Sequence, residues 1–221
     1  MITLHYLDNS RAHRILWLLE ELGLAYDIKI YHRGSDLRAP AALKAIHPLG
    51  KSPVIEDDGR IVAESGAICE YLIDRYGDGS LRPADGEALL RYRYWLHYAE
   101  GSAMPLLLLK LLFSRLPSQV PTLLKIPAKM ICSGVADKLV DPQLADHMAY
   151  WNSELARDGW FAGGEFSAAD IMMSFPVEAS LVRAAPGVDT AAIKRFAAAI
   201  RARPAYQRAL QNGGAYIYAD A

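Results

Sequence analysis

Only two of the 221 residues are cysteine, Cys69 and Cys132, and neither sits in a Cys-x-x-Cys or Cys/His spacing. This argues against a disulfide framework and against a structural metal site, and it fits a reducing compartment such as the cytoplasm. No sign of charge dominates: 24 Lys and Arg face 25 Asp and Glu, a net charge of −1. A nucleic-acid partner, which calls for a basic field, is therefore not expected. The opening Met1-Ile2-Thr3-Leu4-His5-Tyr6 lacks the basic start and apolar core of a secretory leader. The most apolar stretch, 103–113, falls short of the roughly 20 residues a membrane span needs and carries Pro105 and Lys110. It reads as a buried or interface helix, and no membrane partner is expected. What remains is ordinary globular material: hydrophobic residues make up 52% and charged residues 22%, enough for a packed core in one or two domains.

The chain changes character near residue 80. Before it, strand-like and helical segments alternate. Residues 2–7 read as a strand, and Asn9 or Ser10 can cap a helix over about 11–22 that Gly23 ends. Tyr26, Ile28 and Ile30 alternate with polar residues in a second strand. A short helix opens at Pro40. Two apolar runs around Asp57-Asp58-Gly59 read as a hairpin, and a helix over about 65–76 follows. This order is a small α/β layer with one parallel pairing and an antiparallel hairpin. Residues 79–86 read as a linker between a domain at 1–78 and an all-helical domain at 87–221. The second domain has helices expected at 87–114, at 128–139, and from an Asp141-Pro142 cap to about 157. The path between Pro117 and Pro127 is left open. Phe166-Ser167-Ala168-Ala169-Asp170-Ile171 has capping-box spacing with an expected Phe166–Ile171 staple, and it starts a buried helix to about 183. Shorter helices near 189–202 and 204–211 finish the chain.

Three places in the α/β layer could converge on one ligand. Gly50-Lys51-Ser52-Pro53-Val54 puts a proline at the start of a strand. A cis bond there would turn the Ser52 backbone outward to pair with an extended peptide; an ordinary trans turn is the plainer alternative, with Lys51 a solvated turn lysine. Glu64-Ser65 opens a helix, so free N–H groups and the positive helix end suit a carboxylate while Glu64 suits an ammonium. Simple capping explains the same residues. Asn9-Ser10-Arg11 opens the first helix, where a thiolate would feel the helix dipole and a hydroxyl, although Ser10 also serves as a plain cap.

Taken in order, Ser10-Arg11-Ala12-His13-Arg14-Ile15-Leu16-Trp17, His47-Pro48-Leu49-Gly50-Lys51-Ser52-Pro53-Val54, Glu64-Ser65-Gly66-Ala67-Ile68 and Phe166-Ser167-Ala168-Ala169-Asp170 resemble four motifs of the cytosolic glutathione transferases, bacterial and fungal members above all. The resemblance implies a thioredoxin-like domain followed by an all-helical one, a homodimer, and glutathione as co-substrate with no metal. It further implies a cis Pro53, Ser52 backbone groups on the cysteinyl part, Glu64 and Ser65 on the γ-glutamyl end, and Lys51 on the glycine carboxylate or a nearby charge.

Ser10 stands where the serine-type classes carry their catalytic hydroxyl. Asn9 stands where cysteine-type members carry their thiol, which weakens covalent disulfide chemistry. Ser10 is therefore ranked first, with Asn9 or Arg11 assisting and Tyr6 as runner-up. The expected chemistry is hydrogen-bond stabilisation of a thiolate held beside a small hydrophobic electrophile. Tyr94, His97, Tyr98, Gly101 and Met104 form a helical stripe that could receive the electrophile, with Tyr6 adjoining, although such a stripe is more often core. A non-catalytic binding protein of the same fold, or a glutathione-dependent peroxidase or dehalogenase, would share the same motifs.

Overall fold

The computed structural model describes residues 1–34, 38–183 and 187–219. Four strands, β1 (Ile2–Leu7), β2 (Tyr26–Tyr31), β3 (Val54–Asp57) and β4 (Arg60–Ala63), form one sheet in the order β2-β1-β3-β4. The β1–β2 pair is parallel and β1–β3–β4 is antiparallel, as the strand-helix-strand and hairpin patterns require. The hairpin turns tightly because Asp58 and Gly59 both take positive φ, 49° and 81°, the combination a two-residue turn between twisted strands demands. Helices α1 (Ala12–Glu21), α2 (Ala41–Ile46) and α3 (Ser65–Tyr76) complete this layer. Gly23, at φ 62°, stops α1 where expected.

The helical region holds α4 (Gly86–Tyr98), α5 (Met104–Arg115), α6 (Lys125–Val135), α7 (Asp141–Asp158), α8 (Ala168–Arg183), α9 (Ala191–Arg201) and α10 (Pro204–Asn212). Its core is continuous with that of the sheet layer: Leu4, Ile15 and Trp17 share one buried cluster with Trp95, Met172 and Ile200. The expected helix at 87–114 forms, but with a π-helical turn at Ala99–Ala103. The expected break at Asp141-Pro142 does not form. A second π turn, Ala136–Val140, joins α6 to α7, and Asp141 lies inside the helical run with its carboxylate 2.5 Å from Lys110 Nζ. Both π turns lie just before a proline, Pro105 and Pro142. A proline lacks the N–H of the helical ladder and crowds the preceding turn, and one widened turn accommodates it without ending the helix. The stretch 116–124 holds two short 3₁₀ turns, Leu116–Ser118 and Thr122–Leu124. Segment 103–113 is only half covered: Met104, Leu106 and Leu107 are buried, whereas Leu108, Leu109 and Leu112 are exposed.

The capping box differs from expectation in one detail. Asp170 Oδ2 accepts the Ser167 N–H at 2.8 Å, but the Ser167 hydroxyl donates to the same carboxylate at 3.1 Å. Asp170 Oδ1 also takes the Phe161 N–H at 2.8 Å. Phe166 packs on Trp17 and Trp160 with the Arg203 guanidinium 3.7 Å over its ring.

Candidate functional site

Strand register gathers the three sequence motifs. His5 of β1 sits opposite Val54 of β3, which sits opposite Ala63 of β4. The end of β1, the start of β3 and the end of β4 therefore meet at one edge. Ser10 follows β1, Ser52 precedes β3 and Glu64-Ser65 follow β4, so all three arrive at that edge.

Ser10 Oγ accepts the Ala12 N–H at 3.1 Å, capping the first turn of α1, and lies 3.4 Å from Ser52 Oγ. Ser10 thus supplies this bond although Arg11 is the residue directly before α1; Asn9 takes φ 52° and donates its backbone N–H to Ala215 C=O at 2.9 Å. Ser52 Oγ donates to His5 C=O at 2.9 Å and accepts the Leu7 N–H at 3.1 Å, tying its loop to β1. The Ser52–Pro53 peptide is cis. Among the described residues the Ser52 backbone enters no turn or loop hydrogen bond, which leaves it free for an extended ligand. Lys51 is an exposed turn residue, and Pro53 is buried.

At α3 the cap position falls one residue earlier than expected. Glu64, not Ser65, is the residue before the helix, with φ 74° and ψ 125°, and its C=O accepts the Ile68 N–H at 2.9 Å. A non-glycine residue in that backbone region is strained, a cost tolerated where surrounding structure fixes it. Ser65 is the first helical residue. Among the described residues the N–H groups of Ser65, Gly66 and Ala67 and the Ser65 hydroxyl have no partner. Four free donors, three N–H groups and a hydroxyl, at a positive helix end form a seat for an anion.

Arg11 Nε lies 3.1 Å from Glu100 Oε2, and buried Arg14 Nη1 lies 2.6 Å from Glu100 Oε1. Burial lowers the Arg11 guanidinium, while the charges of Glu100 and Glu64 hold it up. Glu100 thus bridges the helical region to the start of α1. Nothing local in the sequence around Glu100 signals this pairing.

The remaining candidates lie elsewhere. Tyr6 is fully buried and its hydroxyl is 3.4 Å from Gly214 C=O; burial holds the phenol well above its ordinary range. Cys69 is buried, its thiol pushed up to about 12. Tyr94, His97, Tyr98 and Gly101 line an open groove of about 850 Å³ together with His147 and Tyr150. Met104 is buried and does not line it, and neither do Ser10, Ser52 or Ser65. Tyr98 is partly withdrawn from the groove, accepting the Trp151 indole N–H at 3.0 Å and bonded to His147 Nδ1.

Sequence patterns also missed a buried clamp behind α1. His13 stacks on Tyr216 at 4.0 Å and meets the edge of Tyr206 at 5.1 Å. Both tyrosine hydroxyls donate to Glu178, a carboxylate that burial pushes upward. Burial alone depresses the His13 imidazole to about 3. A histidine lowered in the fold stabilises fully above its unfolded pKa of ~6.5, and that stability is lost as pH falls towards the folded value. By pH 5 the loss amounts to about 2 kcal/mol. Denaturant melts at pH 7 and pH 5 are expected to show this loss in the wild type and about 2 kcal/mol less of it in His13→Phe. Identical pH dependence in the two proteins would refute the assignment.

Residues 10–75 match the family model described as the glutathione S-transferase N-terminal domain. The chain is 36% identical over 214 residues to Glutathione S-transferase 3 of Schizosaccharomyces pombe, covering 96% of this chain and 88% of that one. The crystal structure of a glutathione S-transferase from Actinobacillus pleuropneumoniae superposes with a TM-score of 0.78 at 32% identity, covering 100% of this chain and 97% of that one. A glutathione transferase homologue from Sulfitobacter, solved with glutathione bound, shares the fold at TM-score 0.76 and 21% identity, covering 96% and 97%. With a thioredoxin-like sheet layer, a helical region behind it and a relative this similar over nearly its whole length, the chain belongs to the glutathione S-transferase family.

Proposed function

We propose that this chain binds glutathione along the edge where Ser52, Ser65 and Ser10 meet, and transfers it to a small hydrophobic electrophile. The carrying observation is the register that brings three separate motifs to one edge with unused donors facing it. The γ-glutamyl carboxylate takes the free N–H groups and hydroxyl at the start of α3, and Glu64 takes the ammonium. The cysteinyl backbone pairs with Ser52 as an added strand, and Lys51 attracts the glycine carboxylate. This leaves the sulfur at the start of α1, beside the Ser10 hydroxyl. That hydroxyl already accepts from Ala12, and its own proton is free to turn from Ser52 to a thiolate.

The thiol releases its proton to solvent as the thiolate is stabilised. The thiolate's electron pair forms the new carbon–sulfur bond, and the displaced pair leaves with the leaving group or is protonated on an unsaturated acceptor. Because Arg11, next to Ser10, pairs with Glu100, the electrophile meets the helical region around Glu100 rather than the Tyr94–Tyr98 groove. A homodimer and a cytoplasmic setting fit this reading as family traits.

Calorimetric titration with glutathione tests the seat. Glu64→Ala and Ser65→Ala are each expected to weaken binding about 10- to 100-fold, the loss of one or two charge-assisted hydrogen bonds, while kcat changes little. Unchanged affinity in both variants would remove the γ-glutamyl assignment.

A further inference from the structure

Of the 19 large hydrophobic residues exposed on the described surface, ten lie between Leu108 and Leu139, about a seventh of the chain. They lie along α5, the 3₁₀ turns after it, α6 and the π turn that follows. Leu123 is 93% exposed, Ile126 76% and Met130 71%. Helix α6 packs chiefly against α5 and the turns beside it, so this helix stands off the rest of the protein. Scattered exposed leucines are normal, but a contiguous apolar face of this kind marks an interaction surface.

The charge around it is mainly positive: between Leu108 and Leu139, Lys110, Arg115, Lys125, Lys129 and Lys138 stand against the one acidic residue Asp137. Lys110 is held by Asp141. Arg115, Lys125 and Lys129 are exposed and enter no ion pair among the described residues. In a two-fold contact with a second copy, each patch would meet its own like, bringing these cations together. An acidic surface neutralises them instead. The small groove between α5 and α6 is lined by Phe113, Pro117 and Lys129 but not by Leu123, Ile126 or Met130, so these exposed side chains suit insertion into a soft layer better than cradling a peptide.

We infer that the α5–α6 hairpin is a docking surface for an anionic lipid bilayer, lying in the plane of the interface with Leu123, Ile126 and Met130 in the acyl boundary and Lys125, Lys129 and Arg115 among the headgroups. No helix among the described residues is long and apolar enough to cross a membrane, and an in-plane element needs no such length. This inference does not depend on the glutathione seat. An enzyme docked this way would work where apolar electrophiles concentrate.

Co-sedimentation of the full chain with vesicles tests it, comparing pure phosphatidylcholine with three parts phosphatidylcholine to one part phosphatidylserine. Binding to the anionic vesicles is expected, weakening with salt, with little binding to the neutral ones. Lys125→Gln/Lys129→Gln should reduce anionic binding about 25-fold, roughly five-fold per cation. Leu123→Ser/Ile126→Ser should reduce it about 100-fold or more. The lysine variant alters only exposed side chains and keeps the test decisive if the apolar variant aggregates. Failure of the wild type to sediment with anionic vesicles overturns the inference, as does full binding by the lysine variant. So does sedimentation velocity in which Leu123→Ser/Ile126→Ser splits an assembly that binds no vesicle, because the face would then join copies of the chain.

Discussion

Ser10→Ala is expected to lower turnover about 10-fold while leaving glutathione affinity within a few-fold of the wild type. The hydroxyl sits at the start of α1, 3.4 Å from Ser52 Oγ, with its acceptor side occupied by the Ala12 N–H. Its donor side is what a neighbouring thiolate would use, together with the positive helix end. A hydrogen bond to a charged group is worth about 1.5–3 kcal/mol, and every 1.4 kcal/mol is tenfold in thiolate population. The interaction exists only in the ionised state, so its loss appears in kcat and not in ground-state affinity. The same substitution removes a helix cap, adding a stability cost of about 1 kcal/mol. Steady-state kinetics with a fixed electrophile, alongside calorimetry, separates the two effects. A variant that keeps full turnover would transfer the role away from Ser10. The buried Tyr6, its hydroxyl turned to Gly214, is poorly placed to inherit it.

Asp170→Ala is expected to destabilise the fold by about 4 kcal/mol. Asp170 is fully buried and takes three donors, the Phe161 N–H, the Ser167 N–H and the Ser167 hydroxyl. Removing the carboxylate orphans all three, at about 1–3 kcal/mol for each unsatisfied group and less where the site relaxes. Against a total stability of 5–15 kcal/mol that is a large share, and in a chain of this size it corresponds to a fall in Tm of about 10 °C. Asp170→Asn should recover part of the loss, because its carbonyl can still accept from Phe161 while its amide turns a donor towards Ser167. Burial pushes the Asp170 carboxyl up to about 7, against the pull of those donors. A carboxyl raised in the fold gives stability that is present below its unfolded pKa of ~3.9 and lost as pH rises through the folded value. Its contribution therefore declines from about pH 4 to pH 7, opposite in sign to that of His13. An Ala variant melting within about 2 °C of the wild type would show that the box is not a structural pin.

The sheet layer was readable because its signals are local. Alternation marked β2, Asp58-Gly59 set the hairpin, and Gly23 closed α1. The Ser10, Ser52 and Glu64-Ser65 motifs were equally visible, since each joins a strand end to a turn or helix start. Their convergence on one edge depends on register, which only the pairing of Val54 with His5 and with Ala63 fixes. The helical region misled at Asp141-Pro142. Asp-Pro is a strong start signal, yet the helix absorbs the proline by one widened turn while Lys110 claims the carboxylate that would have capped. Glu100 with Arg11 and Arg14, and Glu178 with Tyr206 and Tyr216, were invisible for another reason. Each pair joins residues far apart in the chain, and neither partner type is unusual for a helix on its own. The Tyr94–Gly101 stripe was a true helical face, but periodicity does not say which neighbour a face meets.

The most direct test of thiol activation is a pH titration of thiolate absorbance for glutathione bound to the wild-type chain. With the sulfur at the start of α1 beside Ser10, the midpoint should fall from the ~8.5 of a free cysteine thiol to about 7. A bound thiol that ionises no more readily than the free tripeptide would contradict it.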